Sequence, residues 1–170
     1  DTSGHVPWHA IEQALPYIDL VLYDLKHMDP EAHKRDTGAP NDRILINLRK
    51  ISEWRGEADA SQGEATVTEG AAAGASPDQR GAGVPIEIRI PVIPTLNDHD
   101  DFIQQAGDFL GSLEAVKTVR LLPYHNFAGS KYASVGRPNT LPDVDSPKKE
   151  FLKEMAKKLR RHGKFAVVGD

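Results

Sequence analysis

Residues 18–28, with the sequence IDLVLYDLKHM, decide the fold of this chain. The centre of this stretch is an almost uninterrupted apolar run, which is typical of a strand buried on both faces of a parallel sheet. The run closes on Asp24 and Lys26, and residues two apart on a strand point to the same side. Because α/β folds hold their ligands at the carboxyl ends of strands, we expect this acid and base to serve one ligand carrying both signs of charge.

Strand and helix patterns alternate along the rest of the chain. Strands are predicted at about 18–26, 86–90, 118–122 and 164–168. Helices with one apolar face separate them, and Asn97 or Asp98 is predicted to cap the helix after the second strand. The order β-α-β-α-β-α-β predicts an α/β fold with parallel strands alternating with helices. No G-x-G-x-x-G follows a strand, so a dinucleotide-binding site is unsupported and part of a β/α barrel fits better.

Composition narrows the class of protein. The chain has 170 residues, enough for one domain with a real core, and a net charge of −4, which argues against nonspecific binding to nucleic acid. It contains no cysteine, so these residues form no disulfide and offer no thiolate ligand. No apolar run reaches membrane-spanning length and no signal peptide is visible, so we expect no membrane association and a cytoplasmic location.

A segment of unusual composition and the first residue of the chain both bear on how the domain is organised. Residues 57–83 are mostly Ala, Gly, Ser, Glu and Thr, with Val67 as the single large aliphatic residue. Such a segment buries too little apolar surface to offset its ordering entropy, so we expect a flexible, low-complexity insertion within one domain spanning 1–170. The first residue is Asp1 rather than methionine, and we expect the chain to be part of a longer protein.

Charged and polar side chains recur at the ends of the predicted strands. Asp1, Asp24, Lys26, Arg89 and His125 each fall at or near such an end. In a β/α barrel these ends converge on one face, which would collect two carboxylates, two cations and an imidazole. An amino acid or its derivative needs this set, and arginine suits a carboxylate because it binds in a bidentate fork.

Each of these residues also has a simpler interpretation. Asp24 and Lys26 could form a strand-end ion pair, and His125 could be satisfied by backbone groups. Arg89 could point outward into solvent with Glu87 as its partner on the same face. Taken singly these structural roles are the more common ones, but the recurrence on successive strands favours a binding site.

Four motifs occur in an order that resembles a known family. They are DTSGHV at 1–6, LYDLKHM at 22–28, IRIPVIP at 88–94 and LLPYH at 121–125. Together they closely resemble the C-terminal half of glycyl-radical enzyme activating enzymes, of which the pyruvate formate-lyase activating enzyme is the best known. The match covers nearly the whole chain outside 57–83.

This resemblance implies a radical S-adenosylmethionine enzyme built on a partial (β/α)6 barrel. In that family a [4Fe-4S] cluster, reduced by an electron donor such as flavodoxin or ferredoxin, cleaves S-adenosylmethionine. The resulting 5′-deoxyadenosyl radical takes a hydrogen from a backbone glycine of a partner glycyl-radical enzyme. The residues implied as S-adenosylmethionine contacts are Asp24, Lys26, Arg89 and His125. A monovalent-cation site is implied at Asp1, Thr2, Asp24 and the backbone of Leu22.

The chain departs from the family in lacking the C-x-x-x-C-x-x-C motif that binds the cluster. We therefore expect these residues alone to be inactive and the intact protein to be the enzyme. Two other functions stay open: a non-catalytic half-barrel that binds a ligand or partner, and a metal-dependent hydrolase using Asp1, Asp24 and His125.

Overall fold

The computed structural model describes residues 1–55, 83–125 and 144–169. All of the predicted insertion except Gly83 therefore lies outside the described residues. The elements in chain order are α1 (Trp8–Ala14), β1 (Val21–Asp24), α2 (Pro30–Thr37), α3 (Asp42–Glu53), β2 (Ile86–Val92), α4 (Asp100–Gly111), β3 (Val116–Pro123), α5 (Lys149–Arg160) and β4 (Phe165–Val168). A short 3-10 turn, Leu15–Tyr17, follows α1.

The four strands form one parallel sheet in the order β1-β2-β3-β4. Each strand therefore pairs with the next strand along the chain, as consecutive strands of a β/α barrel do. Right-handed crossovers between consecutive parallel strands place the connecting helices on the same face of the sheet. The predicted α/β fold with parallel strands is confirmed.

The two faces of the sheet differ in composition. In β2 the side chains of Ile86, Ile88, Ile90 and Val92 are buried, whereas the intervening residues are only half-buried. The buried set joins apolar residues of the helices in one core. We call the opposite side the open face and define it by the side chains of Leu22, Asp24, Glu87, Arg89 and Arg120.

Strand β1 is buried on one face, not on both as the apolar run predicted. Val21 and Tyr23 are buried under the helices, while Leu22 and Asp24 on the open face are half-buried. The run of apolar residues suggested two covered faces because Leu20 and Leu22 continue it. In the structure Leu20 is 49% exposed and precedes the strand.

Strand β2 runs beyond its predicted end and includes Pro91. The carbonyl of Arg89 accepts a hydrogen bond from Leu25 N (2.9 Å), so Arg89 faces β1 with its backbone groups. Pro91, two residues later, faces the same neighbour, and β1 has already ended at Asp24. The missing N–H of Pro91 thus falls beyond the ladder with β1, where the strand tolerates it. Arg89 consequently lies in the middle of β2 rather than near its end.

Side-chain caps begin α2 and α4, whereas α1, α3 and α5 begin without one. The Asp29 carboxylate accepts a hydrogen bond from Ala32 N (2.6 Å) at the start of α2, and Gly38 ends that helix with φ 89°. Helix α4 begins at Asp100, and His99, rather than Asn97 or Asp98, supplies the cap through a bond from Phe102 N. The amide of Asn97 instead bonds backbone groups near the ends of β1 and β2.

The helices pack as short amphipathic elements. Their buried faces carry aliphatic residues such as Leu48, Leu110 and Leu152, each 1% exposed or less. None of the helices in the described ranges has the length and apolar character needed to cross a membrane.

Candidate functional site

Four of the five residues singled out in the sequence meet on the open face. Arg89 and Asp24 are paired across β2 and β1. The Arg89 Nε and Nη2 atoms lie 3.1 and 2.8 Å from Asp24 Oδ1, and Nη2 also bonds the Asp1 carboxylate. Lys26 Nζ approaches Asp24 Oδ2 at 3.3 Å. We call Asp1, Asp24, Lys26 and Arg89 the ion-pair cluster.

The ion-pair cluster is balanced in charge and partly open to solvent. It contains two carboxylates and two cations, and the side chains of Arg89, Asp24 and Lys26 are 21%, 28% and 37% exposed. A group of this kind can exchange internal ion pairs for contacts with a zwitterion at little net electrostatic cost. Surface ion pairs of this exposure contribute little stability by themselves.

The start of the chain is bound to β1 by backbone hydrogen bonds. Thr2 N donates to Leu22 O and Asp24 N donates to Thr2 O, both at 2.9 Å, which adds a parallel bridge beside β1. Gly4 then turns the chain away with φ 70°, and its N–H donates to Thr2 Oγ1. A Cβ at Gly4 would lie 1.6 Å from the hydroxyl of buried Tyr23, so only glycine fits here. This turn places Asp1 next to Asp24.

The atoms implied for a monovalent-cation site are close together but already bonded. Leu22 O accepts the Thr2 N–H, which leaves its second lone pair, and both carboxylates bond Arg89. A cation here would share Asp1 and Asp24 with the guanidinium.

His125 lies at the same edge of the sheet but beyond the level of the ion-pair cluster. It follows the last residue of β3 by two positions and is exposed. Arg89 is level with Arg120, so His125 is five residues further along the chain of β3. By its position in the chain, His125 therefore lies at the rim, past the carboxyl end of β3.

The sequence interpretation missed an ion pair on the open face between Glu87 and Arg120. Arg120 Nε and Nη2 donate to the two Glu87 oxygens at 2.6 and 3.1 Å. These hydrogen bonds are the chief cause that holds the pKa of Glu87 below its ordinary value. Glu87 is thus bonded to Arg120, its diagonal neighbour on β3, while Arg89 is engaged by Asp24 and Asp1. Extending the period-two pattern to β3 would have placed Arg120 on this face.

A second missed residue is Asn97, whose buried side chain joins the ends of β1 and β2. Its Nδ2 donates to Lys26 O (2.9 Å) and Pro91 O (2.8 Å), and its Oδ1 accepts from Ile93 N (2.8 Å). Its place next to a strand end was the available signal, but a helix-cap interpretation accounted for it equally well.

Next to Lys26 on the chain, His27 is turned away from the open face into the protein. It is 5% exposed, and its Nε2 lies 2.9 Å from Asp36 Oδ2 at the end of α2. Burial is the largest influence on this imidazole and lowers its pKa, although Asp36 acts in the opposite direction. The pair fixes α2 against the loop after β1.

A catalytic metal centre finds no support in the described ranges. Within them, no group of three or more His, Asp or Glu side chains is arranged to hold a metal ion. Asp1, Asp24 and His125 therefore do not form the ligand set that a metal-dependent hydrolase would need.

Comparison with solved structures defines the class of fold. A domain of pyruvate-formate lyase-activating enzyme from Bacteroides vulgatus superposes with a TM-score of 0.68 and 24% identity, covering 100% of this chain and 79% of that one. A radical SAM methyltransferase from Sphaerobacter thermophilus gives a TM-score of 0.60 with 15% identity, covering 99% and 38%. The fold is that of radical S-adenosylmethionine domains, consistent with a partial barrel.

Comparison with curated proteins identifies homologues of the chain. The chain is 32% identical to the (2S)-3-sulfopropanediol dehydratase activating enzyme of Klebsiella oxytoca over 99% of its length and 46% of that enzyme. It is 28% identical to the pyruvate formate-lyase-activating enzyme of Staphylococcus epidermidis and 32% identical to the isethionate sulfite-lyase activating enzyme of Desulfovibrio desulfuricans, covering 89% and 85% of this chain. The chain covers 49% and 38% of those two enzymes, so it spans about half the length of the curated relatives it matches, or less. No family model matches the sequence. The chain is a homologue of glycyl-radical enzyme activating enzymes, which confirms the resemblance read from its motifs.

Proposed function

We propose that this chain supplies the S-adenosylmethionine-binding strand ends of an activase that generates a glycyl radical on a partner enzyme. The observation that carries the proposal is the ion-pair cluster, in which Arg89 bonds Asp24 across two strands with Lys26 alongside. The names of its homologues support the activity, since each is an activating enzyme. The partner would be a glycyl-radical enzyme, the electron donor a flavodoxin or ferredoxin, and the location the cytoplasm.

The chemistry of the ion-pair cluster fits S-adenosylmethionine. The ligand carries an ammonium, a carboxylate and a sulfonium. Asp24 and Asp1 can accept hydrogen bonds from the ammonium, while Lys26 and Arg89 can bind the carboxylate. Nη1 of Arg89 takes part in neither carboxylate bond, so its two hydrogens can be donated to the ligand. His125 at the rim would contact a more distant part of the nucleoside.

The [4Fe-4S] cluster does not fit these residues, because the 170 residues contain no cysteine. When bound in an activating enzyme, such a cluster supplies the electron that cleaves S-adenosylmethionine, and its ligands are thiolates. We propose that the thiolates belong to another part of the intact protein and that the 170 residues alone are inactive. Formation of 5′-deoxyadenosine by the reduced 170-residue chain, after iron and sulfide reconstitution, would contradict this.

The binding site is tested by the affinity of the full-length protein for S-adenosylmethionine. We expect Asp24→Ala and Arg89→Ala each to weaken binding by about tenfold or more, because each removes a charged hydrogen-bonding partner worth roughly 1.5–3 kcal/mol. Lys158→Ala is the control, since Lys158 forms an exposed ion pair with Asp100 on the helical side of the molecule. Unchanged affinity in both site variants would refute the assignment.

The same assay tests the cation site at Asp1, Thr2, Asp24 and the Leu22 carbonyl. We propose that a monovalent cation bound there supports ligand binding by holding the two carboxylates. Affinity should fall when KCl is replaced by tetramethylammonium chloride, whose cation is too large for the site. Equal affinity in the two salts would remove the cation from the proposal.

A further inference from the structure

Asn97 makes an unusually complete set of hydrogen bonds at the point where β1 and β2 end. Its side chain is 1% exposed, both amide hydrogens reach backbone carbonyls, and the amide oxygen accepts from Ile93 N. One acceptor, Lys26 O, belongs to a member of the ion-pair cluster. The other, Pro91 O, lies two residues after Arg89.

This amide lies where the backbone ladder between the strands is interrupted. Leu25 N donates to Arg89 O at 2.9 Å, and in a parallel pair the next rung would run from the N–H of residue 91 to Leu25 O. Proline has no N–H, so that rung cannot form. Asn97 bridges the carbonyls of Lys26 and Pro91 instead, and it is the cross-strand link that follows the Leu25–Arg89 bond.

The turn that carries Asn97 is held in a strained conformation. Thr95 has φ 72°, a left-handed value that a β-branched residue rarely adopts. The Asp98 carboxylate accepts a bond from Thr95 N (2.9 Å), and Leu96 N donates to Ile93 O (3.1 Å). Strain of this kind persists where the surrounding structure requires it and is concentrated near functional sites.

We propose that Asn97 is a positioning residue of the S-adenosylmethionine site, which fixes the Lys26 backbone relative to Arg89 and so sets the spacing of the two cations. This inference rests on the proposed function. In this proposal Asn97 does not touch the ligand and acts through Lys26. Without Asn97, the last hydrogen bond between the β1 segment and β2 would be the one from Leu25 N to Arg89 O, and Lys26 would lie on a loop beyond it.

Asn41 provides a matched control within the same chain. It is also 1% exposed, and its Nδ2 also donates to two backbone carbonyls, those of His27 and Met28, at 2.9 Å. The two asparagines therefore have similar burial and bonding. They differ in that Asn41 ties down only the loop after Lys26, whereas Asn97 joins two strands beside the ion-pair cluster.

The test measures S-adenosylmethionine affinity and melting temperature for the full-length protein carrying Asn97→Asp or Asn41→Asp. Aspartate keeps the acceptor oxygen and removes both amide donors. We expect both variants to lose similar thermal stability, but only Asn97→Asp to weaken binding of S-adenosylmethionine. The expected loss of affinity is about tenfold, which is the lower end of the effect seen when a residue that supports a metal ligand is replaced. If Asn97→Asp does not fold, Asn97→Ser, which keeps one donor and adds no charge, takes its place.

A double-mutant cycle separates positioning from a general structural role. If Asn97 acts through Lys26, the Asn97 substitution should weaken binding much less in a Lys26→Ala background than in the wild type. Equal weakening in the two backgrounds, equal loss of affinity in the Asn41 and Asn97 variants, or normal affinity in the Asn97 variant would overturn the inference. If the wild-type protein itself does not bind S-adenosylmethionine, it is the proposed function that fails.

Discussion

The two faces of the sheet are built from alternate residues of the same strands, yet they are held together differently. The covered face of β2 presents Ile88 and Ile90, both 0% exposed, to a continuous apolar core. The open face presents Glu87 and Arg89, whose charges are satisfied by neighbouring strands. Stability therefore comes mainly from the first face, and the second is the face on which we propose that the ligand binds.

Truncation on the covered face should have the largest effect. We expect Ile88→Ala to lower the free energy of unfolding by about 2–5 kcal/mol, because it removes buried methyl groups and leaves a cavity. Leu22→Ala, a similar truncation on the half-buried open face, is the control and should cost well under this amount. Urea denaturation of the two variants measures both values. A similar loss in both would mean that the two faces contribute equally to stability.

The hydroxyl of Tyr23 should have an intermediate effect, because it donates a buried hydrogen bond to Ile44 O (2.6 Å). Tyr23→Phe leaves that oxygen with one partner fewer, and we expect a loss of about 1–2 kcal/mol at pH 7. Tyr17→Phe, at a side chain that is 87% exposed, should change nothing.

Tyr23 also makes the stability depend on alkaline pH. Burial raises the pKa of Tyr23 above the ordinary value of about 10, so above that pH the unfolded chain loses this proton while the folded chain keeps it. The wild type should then lose stability as pH rises from about 10, and the Tyr23→Phe variant should lose less. Parallel pH profiles for the two proteins would contradict the burial of the Tyr23 hydroxyl.

The smallest effect is expected for the ion pair on the open face. Arg120 lowers the pKa of Glu87, so the ionised carboxylate contributes stability above its ordinary pKa of about 4.3, and that contribution is lost as the pH falls below this value. Glu87→Gln should cost less than about 1 kcal/mol at pH 7, since the Arg120 side chain is 39% exposed, and should cost less at pH 3 than at pH 7. Glu114→Gln, at a side chain that is 90% exposed, is the control. A loss of the same size at pH 3 as at pH 7 would show that shape rather than charge matters at residue 87.

Local patterns in the sequence were sufficient to predict the sheet and most of the ion-pair cluster. The period-two alternation of β2 and the closing charges of β1 place Arg89 and Asp24 on strands whose order follows from the β-α repeat. Asp1, at the start of the chain, joins them because a strand-end turn must bring it to the same edge. In each case the pattern lies within a few residues, and the parallel order of the strands brings these residues to the same edge of the sheet.

What the sequence could not provide was the register between strands. Whether Glu87 bonds Arg89 or Arg120 depends on which residues of β2 and β3 lie opposite each other. The role of Asn97 was hidden for the same reason, because an asparagine before a helix can equally cap it or bridge two strand ends. The length of β2 depended on knowing that β1 ends before it meets Pro91.

The end of α3 and the start of the chain leading to β2 lie side by side. The positions of these two elements therefore do not depend on how many residues join them. A Cβ at Gly83 would come within 2.9 Å of Trp54 O, so the chain returns to nearly the point from which it departs. Closing a loop between adjacent anchors becomes only slowly more costly as residues are added. Both anchors precede Ile86, the first residue of β2, whereas Arg89 lies in the middle of that strand and Pro91 near its opposite end. Evolution could therefore lengthen or shorten the chain at this point without changing the spacing of the charges in the ion-pair cluster.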